Sequence, residues 1–533
     1  MRETLDAKTR GPFLAALAAV FLGALDLTVI ATVLPKMIVD LRINTADIDR
    51  YVWVVNAYLL AYVVAIPVVG RLSDMLGRTP IVLGSLAIFA VGSLLCANAE
   101  TLESLIVARA IQGLGGGALL PVTLALVGDL FPPGRRIAAI GIVGAVDTIG
   151  WVLGPIWGAA VISLPVNASE PWRLIFWLNI PIALLAGLLI WRSGDRHLMA
   201  RRHAPLRDFD LIGSLLFAGA LLCFNLALSS GGEVGVVAGS GLRAFGGSKN
   251  PLAAYLWPLL AAAFILGTAF ILWSHRRATP LFAQDLFRSP VILAVITINF
   301  LVGAALIGAM VDGPVAVALT SSGDDVSRKS ALILAPFTLG MAIFSFAGGR
   351  IASWLGVLRT AAIGIAMVVA GYGLLWKMAT SDNVYTMVPG LVIAGIGFGL
   401  VMAPLGATLL DAAPSSELGS ASALSMVARL LGMTIGISAL TAVGVRRLQV
   451  LTGRLEPVVQ KTGESTAEYL VRQAQYIQDT AIPLSFRVIK ETFLLAALLA
   501  ALGCIPLMYL SKRSQANAER SSATASATDV ESL

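Results

Sequence analysis

Asp26, Arg109, Asp147, Asp312 and Arg429 each stand inside a run of otherwise mostly apolar residues. An ionised group in hydrocarbon costs at least a few kcal/mol, so each needs a partner or a task. Two kinds of chemistry fit these residue types. A carboxyl group in a low-dielectric site holds a proton more readily than in water, and an adjacent guanidinium reverses that preference. Such groups can therefore take up and release protons, and this is the role expected for Asp26 and Asp147. The same groups could instead be static ion pairs that fix helix packing. Arg109, Arg429 and Asp312 are the expected intramembrane charge partners. Counted from residue 13, Asp26 lies about 20 Å along a helix axis. That is past the midplane of a hydrocarbon core about 30 Å thick, too deep for a short side chain to reach headgroups. Asp26→Asn is expected to abolish coupling and spare the fold. Asn56 and Tyr58, a turn into the second apolar run, are candidates for lining a cavity.

The elements that hold these residues follow from composition. The chain has 533 residues, 57% hydrophobic and only 13% charged, with 52 glycines and a net charge of +7. Its mean hydropathy is +0.84. Apolar runs of about 20 residues separated by short polar hinges describe an all-α polytopic membrane protein. Fourteen spans are expected, near 13–35, 51–70, 79–98, 104–127, 137–162, 173–191, 209–229, 253–273, 291–311, 331–348, 357–377, 385–408, 417–445 and 489–510. They divide into an N-terminal six-helix bundle (1–195), a middle pair with linkers (196–290), a C-terminal six-helix bundle (291–513) and a disordered cytoplasmic tail (514–533). Residues 446–488 form a long outer segment that could fold as an amphipathic hairpin or serve as a linker.

Lys and Arg concentrate in the loops on the N-terminal side, above all in "WRSGDRHLMARRHAPLR" (191–207). By the positive-inside rule, both termini are expected in the cytoplasm. The basic excess thus reports topology and gives no reason to expect nucleic acid. Cys96, Cys223 and Cys504 lie in or beside apolar runs without metal-binding spacing. No Gly-x-x-x-x-Gly-Lys-Ser/Thr stretch is present, so a nucleotide engine would have to be another subunit. The Gly-rich loop 229–250 carries no evident chemistry.

"GRLSDMLGRTP" (70–80) follows the second span, and "GRIASWLGVLRT" (349–360) follows the tenth. Both open Gly-Arg, then reach a further Gly and an Arg, and each joins the second and third spans of a half. A duplicated bundle would place them there. In the first copy, Gly70 and Gly77 allow close approach and a tight turn. Asp74 suits the positive end of a neighbouring helix. Arg71 and Arg78 anchor the loop at the interface.

"GRLSDMLGRTPIVL" resembles the signature loop of the major facilitator superfamily, though Met75 and Thr79 replace residues that are often basic there. "LIVARAIQGLGGG" (105–117) resembles its fourth-helix motif, and "GWVLGPIWGA" (150–159) its antiporter motif. "LDLTVIATVLP" (25–35), "FDLIGSLL" and "SALSMVARLLGMTIGI" (422–437) resemble the fourteen-span drug:proton antiporter branch. Asp147 before the fifth-helix motif, "MVDGPVAVAL" and the long outer segment give a looser similarity to the mycobacterial triacylglycerol exporter group.

The resemblance implies two six-helix bundles with two extra peripheral helices, working by alternating access. It implies an exporter of amphiphilic or drug-like compounds driven by a proton gradient, or alternatively an exporter of membrane lipid such as triacylglycerol. No cofactor, no metal and no enzymatic activity are expected. A monomer in the plasma membrane is expected, with protons, substrate and bilayer as partners. Gly150, Gly154 and Gly158, spaced by four around Pro155, suit a helix that approaches another closely and can bend. The resemblance also places the fifth and eleventh core helices face to face, which predicts a state-dependent salt bridge between Asp147 and Arg429.

Overall fold

The computed structural model describes residues 7–41, 53–162, 170–193, 206–231, 255–321, 325–453, 460 and 464–512. Most of the basic stretch 191–207, most of the Gly-rich loop 229–250, nearly all of 454–463 and the tail from 513 lie outside the described residues. Among the described residues all regular structure is helical. Lipid offers backbone groups no hydrogen bonds, and a helix satisfies its own.

Among the described residues, fourteen helices are long and apolar enough to cross a membrane. They are α1 (Ala7–Asp40), α2 (Trp53–Leu76), α3 (Arg78–Ala97), α4 (Leu102–Leu130), α5 (Pro133–Ile162), α6 (Arg173–Ser193), α7 (Leu211–Gly231) and α8 (Leu256–Arg276). The second half has α9 (Pro290–Thr320), α10 (Asp325–Leu355), α11 (Val357–Met378), α12 (Val388–Ala412), α13 (Leu418–Thr452) and α14 (Ile482–Leu502). Local signals start several of them. Thr101 and Ser104 form a reciprocal cap on α4, and Ser289 caps α9 ahead of Pro290.

The duplication is visible in the packing. Within the first bundle α2 and α3 pack on α4, α5 and α6 on α1, and α6 on α3. Each pairing recurs with the helix number raised by eight: α10 and α11 on α12, α13 and α14 on α9, and α14 on α11. The contacts between bundles also come in twos, α5 with α10 and α12, and α13 with α2 and α4. The repeated loops share their turn as well. Gly77 and Gly356 have φ of 93° and 89°, a region that favours glycine.

The middle pair stands outside this arrangement. α7 packs against α2 and α13, while α8 packs on α7 and turns most of its surface outward. Asp210, buried at the start of α7, accepts from Gly213 N, Leu281 N and Trp273 Nε1, and so clasps both helices to the linker that follows. In the described part of the outer segment, α13 continues to Thr452, and an amphipathic helix, Thr466–Tyr476, passes through a π turn, Ile477–Ala481, into α14.

Candidate functional site

Asp26 and Arg109 form a salt bridge of 2.7 Å, with both side chains almost wholly buried. α1 supplies the acid and α4 the base. Asp26 also accepts from Gln112 Nε2 (3.0 Å) and Asn179 Nδ2 (2.6 Å). Arg109 donates further to Gln112 Oε1 at 2.6 Å, and its guanidinium lies 4.1 Å from the Tyr58 ring centroid. Gln112 in turn donates to Ser93 Oγ. The carboxylate thus accepts three hydrogen bonds from α4 and α6. A buried pair holds only with such added hydrogen bonds, which offset the loss of water.

Gln112 belongs to the "ARAIQGLGGG" stretch, and Asn179 is a lone amide in an apolar helix, the same signal that marks Asp26. Tyr58 and Asn56 do not line either of the cavities described below. The glycine face of α4 explains this for Tyr58. A Cβ at Gly113 or Gly116 would run into the Tyr58 carbonyl or hydroxyl oxygen, so α4 presses directly on that residue. Tyr58 is therefore a platform for Arg109 rather than a cavity wall.

Asp147 and Arg429 face a different place. A cavity lies between the bundles, and both residues line it with Asn299, Ser422 and Ser425. Most of the remaining wall is apolar, including Leu120, Leu124, Val143 and Met426. Arg429 Nη2 donates to Asn299 Oδ1 at 3.2 Å, and Asn299 donates to Ser425 Oγ. Arg429 Nε has no hydrogen-bond partner. No salt bridge joins Asp147 to Arg429 in this conformation, since no N–O distance between them falls within 4.0 Å. α5 packs on α10 and α12, and α13 on α2 and α4, so Asp147 and Arg429 face each other across the cavity.

α5 has two glycine faces. Toward its N-terminal end Gly141 and Gly144 admit Ser345 of α10, whose hydroxyl donates to Gly141 O. Beyond Asp147, Gly150 and Gly154 admit α1 at Ala24, Leu25 and Thr28, and Thr28 donates to Trp151 O. Gly158 is buried on the same stretch, and Pro155 lies within the helix. Asp147 therefore sits where α5 passes from one bundle's surface to the other's. A Cβ at Gly154 would overlap Thr28 Oγ1 and lie 2.8 Å from Leu25 O. Gly154→Ala should accordingly cost about 1–3 kcal/mol by overpacking. Gly373→Ala, where a Cβ meets nothing within 4 Å, should be neutral or slightly stabilising. Thermal unfolding of the two purified variants checks the contrast.

The signature loop ties the bundles together on the face where α1 begins. Arg71 Nη1 bonds both oxygens of Glu417, at 2.8 and 2.9 Å. Asp74 accepts from Gly419 N, Ser420 N and Ser420 Oγ, so it caps the positive end of α13. Arg78 bridges Asp74 and Asp129, and Arg136 of α5 bonds Asp411 at the end of α12. Burial pushes the Glu417 carboxyl above its usual range, and Arg71 pulls it back. Gly70 lets α2 meet Gly419 and Ala423, as Gly349 lets α10 meet Ile137 and Ala138. The second loop has Ser353 at the position of Asp74 and leaves Arg350 exposed, so only the first copy makes the ionic tie. Met75 and Thr79 are buried, so their side chains pack where basic residues would have needed solvent.

Asp312 lies farther along α9, beside a second cavity between α9, α13 and α14. Its hydrogen-bond partner is Thr492. The structure thus separates the five charges into three places, one within the first bundle, one between bundles and one within the second.

Residues 16–437 match the profile of the Major Facilitator Superfamily. The triacylglyceride transporter of Mycolicibacterium hassiacum is 32% identical over 508 residues, covering 93% of this chain and 90% of that one. A triacylglyceride transporter of Mycobacterium tuberculosis is 32% identical over 514 residues, 93% of each chain. Among solved structures, the proton:xylose symporter XylE has a TM-score of 0.58 at 14% identity, covering 92% of this chain and 95% of its own. The human organic anion transporter MFSD10 has a TM-score of 0.56 at 16% identity, covering 93% and 100%. At such identity the two structures speak for the fold alone. The profile match, the full-length relatives, the doubled bundle and its signature loop agree: the chain is a membrane transporter of the Major Facilitator Superfamily.

Proposed function

We propose that this transporter exports neutral acyl lipids of the triacylglyceride kind, driven by proton entry. The observation that carries the substrate class is the set of relatives called triacylglyceride transporters, matched over nearly the whole of both chains. The largely apolar wall of the cavity between the bundles supports it, since acyl chains ask for little polar recognition.

Coupling is assigned to Asp147 and Arg429, with the Asp26–Arg109 network holding the first bundle in shape around them. In the conformation tied through Asp74 and Glu417, the face that carries the termini is closed. Asp147 takes a proton when the cavity opens to the other side. When the ties release, Asp147 loses the proton inward and its carboxylate is drawn to Arg429. Each charge moved down 100 mV supplies about 2.3 kcal/mol. The termini are assigned to the cytoplasm by the basic loops, and the membrane to the plasma membrane. Export of drug-like amphiphiles is the second reading, favoured by the antiporter motif on α5.

Reconstituted vesicles with an imposed pH gradient test both readings. Labelled triacylglycerol should move in a gradient-dependent way and a cationic dye should not. Dye movement with no lipid movement would reverse the assignment, and lipid movement indifferent to the gradient would remove proton coupling.

A further inference from the structure

Asp312 has a place of its own in the second bundle, outside the coupling pair. It is nine-tenths buried, and Thr492 Oγ1 lies 2.7 Å from its Oδ2. The same Thr492 oxygen lies 2.7 Å from the carbonyl oxygen of Ile489. A hydroxyl has one hydrogen to give. If Asp312 were ionised, two acceptors would compete for it and one would be left facing a lone pair. If Asp312 carries a proton, the chain closes. The acid donates to Thr492 Oγ1, and Thr492 donates to Ile489 O. No salt bridge to Asp312 occurs among the described residues.

The neighbours supply no cation for it. Tyr372 faces it from α11, and its hydroxyl is already engaged, accepting from Ala309 N and donating to Ala305 O. Arg447 of α13 is held by Glu491 of α14, which Arg487 also approaches. Lys329 of α10 donates to Ser321, more than two helical turns past Asp312, and Lys377 of α11 is exposed. α12 has no charged residue before Asp411, at its opposite end.

We propose that Asp312 is a second proton-binding site, holding its proton against Thr492 in this conformation and exchanging it through the cavity between α9, α13 and α14. The cavity offers about 30 Å³ to the centres of water-sized spheres, where one water needs roughly 10–15 Å³. Thr441 and Thr492 offer hydroxyls along its wall. α9 is also loosened on both sides of the acid. The Tyr372 hydroxyl sits on the rung between Ala305 and Ala309, and Pro314 removes the donor for the rung at Met310. A change of charge at Asp312 therefore acts on the part of α9 with the weakest hydrogen-bond ladder.

The test is infrared difference spectroscopy on purified full-length protein in lipid, recorded as the pH is stepped. Wild type should show a protonated-carboxyl C=O band at neutral pH that is lost on raising the pH. Asp312→Asn should lose that band, and Asp312→Glu should keep a displaced one. Thr492→Val, which retains the acid, should shift the band. Asp147→Asn should remove only its own contribution and leave the band that Asp312→Asn removes, which separates this site from the coupling pair. A wild-type spectrum without the band, or one that Asp312→Asn leaves intact, overturns the proposal, whether or not lipid export holds.

Discussion

Asp26→Asn is expected to destabilise the protein by about 3–5 kcal/mol and to stop transport, because it strands the Arg109 charge in the bundle interior. Arg109 lies against Asp26, Gln112 and the Tyr58 ring, with essentially no exposure to water. An asparagine at 26 would accept one of the present bonds, but it could not balance the charge. Sequence alone predicts a folded, uncoupled variant. The geometry alters that expectation, because the acid is one corner of a closed network that includes Gln112 and Asn179. Arg109→Gln alone should be similarly costly, leaving the carboxylate with amide donors only. Combining the two should return much of the lost stability. The check is a double-mutant cycle on thermal unfolding, with lipid transport measured on the same preparations. Additive losses would show that the two charges do not depend on each other.

The second large effect falls on transport and not on stability. Asp147→Asn and Arg429→Gln should each reduce gradient-driven transport to the level of empty vesicles while unfolding close to wild type. Arg429 Nε has no hydrogen-bond partner, and Nη2 donates to Asn299, which is itself bonded to Ser425, instead of to a carboxylate. Removing a charge that has no carboxylate within salt-bridge reach relieves burial as well as losing a contact. In this respect the pair differs from Asp26 and Arg109, where removing either partner leaves the other uncompensated. The stability cycle for Asp147 and Arg429 should therefore show little coupling when the face bearing the termini is closed. It should show coupling when a substrate or binder holds that face open. Strong coupling in the closed form, or normal transport by either variant, would remove the proposed gate.

The fourteen spans, their doubling and the depth of each charge were legible because lipid imposes length and hydropathy on a helix. Depth alone does not say which way a side chain faces or which helix lies opposite. That is why Asp26 and Arg109, 83 positions apart, could be named as candidates but not joined. It is also why Tyr58 was read as a cavity residue, although the glycines that bury it stand on another helix. Asn179 carried a signal like that of Asp26, but a weaker one, since an amide in lipid is less costly than a charge. The signature loop was recognisable, whereas its partners Glu417, Gly419 and Ser420 sit more than 300 residues away at the start of α13, where the sequence carries no special signal. The sequence marks Asp312 only as a charge partner. Its single hydroxyl contact depends on α14, whose approach to α9 has no local sequence signature.

Duplication alone would make a molecule whose two edges in the bilayer plane are interchangeable. The α7–α8 pair removes that equivalence. α7 reaches α2 of one bundle and α13 of the other, and Asn225 of α7 accepts a hydrogen bond from Thr434 of α13 at 3.2 Å. One edge is therefore shuttered by an aromatic pair of helices, with Phe217 and Phe270 packed against each other at 4.9 Å. The other edge is the bare glycine-and-serine crossing of α5 and α10. A molecule diffusing sideways in the membrane thus meets a front and a back, although the chain was built from two copies of one bundle.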